Sequence, residues 1–466
     1  MKKKALSMIL TCSAVISLLA GCGGSATQPE TSEGTSGDAS AVENGEEVLP
    51  AEEDGDIVST DVYYDETVTL SCLVDQNWLD SYGEALEALS EAALEKYNIQ
   101  IELENKTNGS DGDNQVKTRL AAGEMTDLLI FNSGAQLMAL NPAEYFVDLT
   151  NEPCMANVDE TFKKAVTANG AQYGIPVTSS NVGGIIYKKA VYEELGLEVP
   201  KTWEDFLKNC DACKAAGYDA VLGTCGDAWS AQYPVLSDNY NVEAVETNWA
   251  ADFEAGTSKV ATTEAALRSW QKLSDLGQYL NNDYMATTVS DGMDMLVEEN
   301  DVVHFFLTSQ AFAIFETYGG DPDEFSIFPV PGDDASVNGY TVWMPNGMYV
   351  SNNSKNIEAA LTFLEFYVSE EGMDIAKAHM KADGPYLVKG IELPEDTCEG
   401  VMGIQPYFDE GRTGLALEFE TQLKGASCDQ ICVECISGAL TAEEAAAVYD
   451  QDCQKMAVQL GLEGWE

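Results

Sequence analysis

The sequence predicts an α/β fold. Short strand patterns alternate with amphipathic helix patterns from residue 65 onward, and the 466-residue length suits two or three domains. The strand signals are runs of β-branched and apolar residues. The helix signals are apolar residues that recur every three or four positions. In folds of this class helices cover both faces of a sheet, and ligands sit beyond the carboxyl ends of the strands.

Residues 67–74 read as the first strand. Ser81 is expected to cap the next helix, where Leu86, Leu89, Ala93 and Tyr97 share one face. Residues 99–103 form a second strand, 115–122 a helix and 127–131 a buried strand. Residues 75–78 and 132–134 then occupy strand ends. A second unit begins after Ile175 and Pro176. Residues 185–187 are strand-like, and 191–195 form a short helix ended by Gly196. Thr202 is a natural N-cap for the helix that follows, with Asp205 at N3 approximating a capping box. Residues 351–368 show a strand end, a turn and a strong helix. No internal repeat is visible.

The first 22 residues carry a different signal. Lys2, Lys3 and Lys4 precede an apolar run from Ala5 to Leu19, which Leu19-Ala20-Gly21-Cys22 closes. A charged start, an apolar centre and small residues at the cut are the parts of a secretory signal. With a cysteine at its end, the segment is similar to a bacterial lipoprotein signal, residues 19–22 being the lipobox. Cleavage before Cys22 and acylation of its thiol would tie the chain to the extracytoplasmic face of the membrane. The alternatives are a plain signal peptide or a short membrane helix, but the run is too short to span a bilayer comfortably. Residues 1–21 are thus assigned to the signal and 22–64 to an acidic disordered linker. Residues 23–61 hold eleven acids and no base, with too little apolar surface to offset chain entropy.

The formal net charge is −55, and loss of the three lysines leaves 21 basic against 79 acidic residues, or −58. Such a field repels nucleic acid and anionic lipid and disfavours anionic substrates. A neutral ligand meets no such barrier. Beyond Cys12 and Cys22 there are ten cysteines. Cys210 and Cys213 have C-x-x-C spacing without a matching pair, and Cys428, Cys432 and Cys435 share one helix face. They read first as small core residues, next as disulfides, and last as a zinc site, which needs two spaced pairs. Of the two histidines, His304 reads as a core residue and His379 as exposed. Neither H-E-x-x-H nor G-x-S-x-G occurs. Paired carboxylates suffice for glycosidase chemistry, so acids alone leave an enzyme open.

Four segments resemble the extracellular solute-binding proteins of ABC importers, in the carbohydrate-type family to which maltose-binding protein belongs. They are Val116-Lys117-Thr118-Arg119-Leu120-Ala121-Ala122-Gly123 with Asp127-Leu128-Leu129; Tyr173-Gly174-Ile175-Pro176 with Ile186-Tyr187-Lys188-Lys189, Leu195-Gly196-Leu197 and Pro200-Lys201-Thr202-Trp203; Phe328-Pro329-Val330-Pro331-Gly332; and Tyr349-Val350-Ser351 with Asn353-Ser354-Lys355. Residues 298–306 depart from the family's pattern. The resemblance implies a periplasmic-binding-protein-like fold: two α/β lobes with a hinge and a central ligand cleft. Residues 65–175 and 340–390 would form lobe 1, and 176–339 and 391–466 lobe 2. It implies a monomer that binds a sugar or oligosaccharide, delivers it to ABC permease subunits and needs no cofactor or metal. The alternatives are a binder of a polyamine, peptide or metal complex, or a carbohydrate-active enzyme.

A sugar has an apolar C–H face and a hydroxyl rim, so its site needs flat aromatic rings and hydrogen-bonding groups. Trp78, Trp229 and Trp343 lie in settings that suit the first role, while Trp203, Trp249, Trp270 and Trp465 read as packing residues. Asp75, Asn77, Asn132, Ser133, Ser179, Ser180, Asn181, Asp227, Ser309 and Gln310 are the polar candidates. Turn and cap bonding is the competing role for each.

If Cys22 carries the lipid, Cys22→Ala will release the protein from the membrane or leave it unprocessed. Membrane fractionation with metabolic acyl labelling checks this, and a mutant that is still processed and acylated would place the lipid elsewhere.

Overall fold

The computed structural model describes residues 62–107, 109–298 and 302–465. The signal segment, Cys22 and most of the acidic linker lie outside the described residues. Two sheets organise the rest. The first has the strand order Ile99–Lys106, Val68–Asp75, Leu128–Phe131, Gly347–Val350, Gly174–Pro176. Its first three strands are parallel, and Gly347–Val350 runs antiparallel to both neighbours. Leu128–Phe131 is buried throughout, as a parallel strand covered on both faces must be. Helices Gln76–Tyr97 and Ile357–Tyr367 pack against this sheet.

The second sheet runs Thr413–Leu415, Tyr340–Trp343, Asn181–Lys188, Val302–Thr308, Asp219–Leu222, and Phe325–Phe328 pairs with the far half of Asn181–Lys188. The expected division put residues 340–343 with the first lobe. Tyr340 and Val342 instead bury their side chains in the second sheet, antiparallel to residues 181–183. The change of lobe falls in residues 344–346. The segment that departs from the family's pattern still ends in a fully buried strand, Val302–Thr308.

Several quoted motifs turn out to be structural. Asp127 accepts hydrogen bonds from the Ser71 backbone and hydroxyl, from Ser354 and from Asn356. Burial raises its pKa, but these donors outweigh that and hold the carboxyl below the usual range. Thr202 does cap the helix Trp203–Ala216, accepting from the Asp205 backbone. Asp205 turns its own carboxylate to the Thr202 hydroxyl, so the box is only half made. Trp203 is almost wholly buried, packs tilted against Phe206 with ring centroids 5.1 Å apart and donates its indole N–H to Asp275 at 3.0 Å. His304 is fully buried. Its Nδ1 faces the Ala220 carbonyl at 2.6 Å and so carries the proton, leaving Nε2 to accept from the Tyr192 hydroxyl at 2.8 Å. Burial lowers its pKa to about 4, so the ring is neutral. The ten cysteines among the described residues are free thiols, nine of them buried.

The chain passes between the sheets three times: in residues 177–180, in 344–346 and in 378–398. The first and third passages are laced together. The Ser180 N–H and hydroxyl both donate to the Pro385 carbonyl, at 2.9 and 2.8 Å. The Ser179 hydroxyl donates to Asp383 at 2.5 Å and accepts from its backbone N–H at 3.1 Å. Burial pushes the Asp383 carboxyl up to about 6, against the opposing Ser179 bond.

Two outcomes follow. Trp203→Ala empties a filled site and should destabilise the protein by about 3–5 kcal/mol, measured by denaturant unfolding. For Asp383 the folded protein holds its proton more tightly than the unfolded chain, so its contribution to stability falls as pH rises from about 4 to about 6. Asp383→Asn should therefore gain stability relative to wild type across that window. Parallel unfolding curves for both proteins at pH 4 and pH 7 would contradict it.

Candidate functional site

The site expected at the strand ends has one face on each lobe. On the first, Val68–Asp75 runs directly into helix Gln76–Tyr97, so Asp75 closes the strand and residues 76–78 are the first helical turn and not a loop. The break lies at Tyr82, whose φ of −138° and ψ of 15° divide the helix just after Ser81. Ser81, expected as the N-cap, lies inside the first helical piece, one residue before this break. Asp75 and Lys106 end neighbouring parallel strands in register. Both are buried, with Lys106 Nζ 3.0 Å from Asp75 and 3.5 Å from Asp113. The same ammonium lies 5.7 Å from the rings of Trp78 and Phe131. Trp78 is partly exposed above this pair. The side chain of Asn77 lies outside the described ones.

Asn132 is half-buried and donates to Gln136. The buried Ser133 hydroxyl donates to the Pro345 carbonyl at 3.0 Å, joining the end of Leu128–Phe131 to the second passage. Ser180 and Ser179 belong to the lacing already described. Ser309 is buried, exchanging hydrogen bonds with the Val182 backbone through its own N–H and its hydroxyl. Gln310 is exposed. Asn181 is half-buried and pairs with Trp343 at the strand ends.

The second-lobe face is aromatic. Trp343 ends its strand and lies over Gly183, where a methyl group would come within 2.4 Å of the ring, so only glycine admits this packing. Tyr233 stands 6.0 Å from Trp343 and 5.9 Å from Trp229, so three rings form a row. Trp229 is 44% exposed. Asp227, just before it, accepts from the Val289 backbone at 2.8 Å and so anchors the start of helix Val289–Glu298. Burial raises Tyr233 to about 12, and the nearby Glu418 adds to this. Glu418 accepts the Trp343 indole N–H at 2.6 Å and a bond from Lys424 at 3.1 Å.

The faces touch where Gly134 meets Phe419. A methyl group at Gly134 would come within 2.6 Å of the Phe419 Cα, and Gly134 holds a φ of +67° that favours glycine. At another edge, a groove of about 490 Å³ opens between the lobes, lined by Glu84, Phe312, Glu316, Lys381 and Asp396. A wider depression of about 900 Å³ belongs to the second lobe alone, around Trp249 and Glu254. There burial and the neighbouring Glu420 raise Glu243 well above the carboxylate range.

Sequence reasoning missed Lys106, Tyr233, Glu418, Phe419 and Lys424. Lys106 was readable once Asp75 and Lys106 were aligned as neighbouring strand ends. The others come from distant segments, and no local pattern marks them.

Residues 88–386 match the model of the family described as bacterial extracellular solute-binding protein. The chain is 25% identical to the "Multiple sugar-binding protein" of Streptococcus mutans over 317 residues, 65% of this chain and 73% of that one. It is 25% identical to the melibiose/raffinose/stachyose-binding protein MelE of Bacillus subtilis over 28% of this chain and 30% of that one. Its fold is similar to that of apo RafE from Streptococcus pneumoniae, with a TM-score of 0.69 at 19% identity, covering 83% of this chain and 98% of that one. With the family model spanning most of its length and both lobes in place, the chain belongs to the bacterial extracellular solute-binding proteins.

Proposed function

We propose that this protein is the membrane-anchored sugar receptor of an ABC importer. It binds a neutral sugar or oligosaccharide between its lobes and hands it to the permease subunits, acting by capture and release and not by turnover. The row Trp229–Tyr233–Trp343 carries the reading, because it supplies on one lobe the flat apolar surface that a pyranose face needs. Trp78 supplies a ring on the other lobe. Closure would bring the two faces onto one ligand, a population shift driven by the extra contacts of the closed state. The net charge favours a neutral ligand over a uronate. Solved structures of similar fold include RafE in complex with raffinose and a chitin oligosaccharide binding protein. Among the described residues no helix is long and apolar enough to cross a membrane. Attachment therefore falls to Cys22 in this reading.

The test is titration calorimetry against melibiose, raffinose, stachyose, chitin oligosaccharides, galacturonate and spermidine. Binding of a neutral oligosaccharide supports the proposal. Binding of spermidine alone would replace it with a cationic-solute receptor. Each stacked ring contributes on the order of 1 kcal/mol beyond burial, so Trp229→Ala and Trp343→Ala should each weaken binding about tenfold. Gly134→Ala, which obstructs the Phe419 contact, should weaken it several-fold while both tryptophans stay in place. Unchanged affinity in all three variants would remove this cleft from the reading.

A further inference from the structure

We infer that Glu418 is a positioning residue for solute capture: it fixes the plane of the Trp343 ring, and through the adjacent Phe419 it ties that plane to contact between the lobes. The inference rests on the sugar-receptor reading and adds to it a residue outside the family-matched segment, 88–386.

The geometry is specific. Trp343 is the last residue of its strand, so its backbone is held by pairing on one side and passes into residues 344–346 on the other. A ring in that place has one polar atom with which to fix its orientation, the indole N–H. That atom donates to Glu418 Oε1 at 2.6 Å, a charge-assisted bond. The other carboxylate oxygen accepts from Lys424 Nζ at 3.1 Å, which sets the carboxylate itself. Gly183 below the ring and Tyr233 beside it limit the remaining tilt.

Glu418 stands in a single 3-10 turn, Leu417–Phe419. The turn is moored to the strand that bears Trp343 by the Ala416 N–H, which donates to the Val342 carbonyl at 3.0 Å. Phe419, the next residue, is the one that meets Gly134 of the first lobe. One turn therefore holds both the ring's orienting acceptor and the interlobe contact. Loss of the Gly134 contact on opening would leave the turn held at its Ala416 end alone and release the Phe419 end, with the acceptor beside it, relative to the strand. The stacking surface would then be fully set only when the lobes come together, which adds the ring's orientation to the interactions that favour the closed state.

The competing role is plain support, in which Glu418 serves only to pair with Lys424. A double-mutant cycle on the full-length protein separates them. Trp343→Phe keeps an aromatic face and removes the N–H. Raffinose, stachyose and chitin oligosaccharides serve as probes in calorimetry, with thermal unfolding recorded for every variant. Glu418→Ala should weaken sugar binding about tenfold, the scale of a hydrogen bond to a charged group. Glu418→Gln, which keeps an acceptor oxygen, should recover most of that affinity. In the Trp343→Phe background, Glu418→Ala should cost almost nothing further, and Phe419→Ala should cost less than it does in wild type. Equal losses from Glu418→Ala in both backgrounds, or no rescue by Gln, would overturn the positioning role. Strictly additive losses from Phe419→Ala would overturn the tie to closure. Failure of the wild type to bind any of the three sugars would overturn the receptor reading itself, a result distinct from an additive cycle.

Discussion

The shortness of two passages between the sheets governs everything else in this molecule. Four residues, 177–180, separate the first-sheet strand Gly174–Pro176 from Asn181–Lys188, and three, 344–346, separate Trp343 from Gly347. Chains that short cannot let the sheets drift apart, so the strand ends of both lobes must face each other across a narrow gap. The third passage is long, yet it is bound to the first by Ser179, Ser180, Asp383 and Pro385. The lobes are left with rotation about this bundle as their easy motion, as in other hinged receptors.

The two faces that this constraint sets opposite each other are built differently. The first is rigid and charged beneath: Lys106 is buried between two carboxylates and under two rings. A buried ammonium without those partners would be costly, so the group is fixed in place. The second face is aromatic and partly exposed, with Trp229 and Trp343 bridged by Tyr233.

Much of the fold was legible in the sequence because it rests on local chemistry. Thr202, Gly196 and the apolar run at residues 128–131 each announce their element, and Asp127 and Ser354 mark a hub that holds the first lobe together. The signals failed where tertiary pairing decides. Residues 340–343 look like any strand, and only the partner strand assigns them to a lobe. The site divides in the same way. Aromatic residues in polar surroundings pointed to Trp78, Trp229 and Trp343. The serine hydroxyls of Ser133 and Ser180 are engaged with carbonyls more than 200 residues away, which no spacing reveals. Tyr233, Glu418 and Phe419 meet the rest only through the folded chain.

The thiols have a practical consequence. Burial pushes Cys72, Cys154, Cys435 and Cys453 up to about 12, so at neutral pH they are protonated and poor nucleophiles. Among the described residues Cys398 alone is not buried, and it borders the groove between the lobes beside Phe312 and Lys381. Among the described residues the folded body thus offers one thiol within reach of solvent, although partial burial raises its pKa as well. An environment-sensitive dye coupled there would turn lobe movement into an optical signal, without first stripping nine cysteines from the interior.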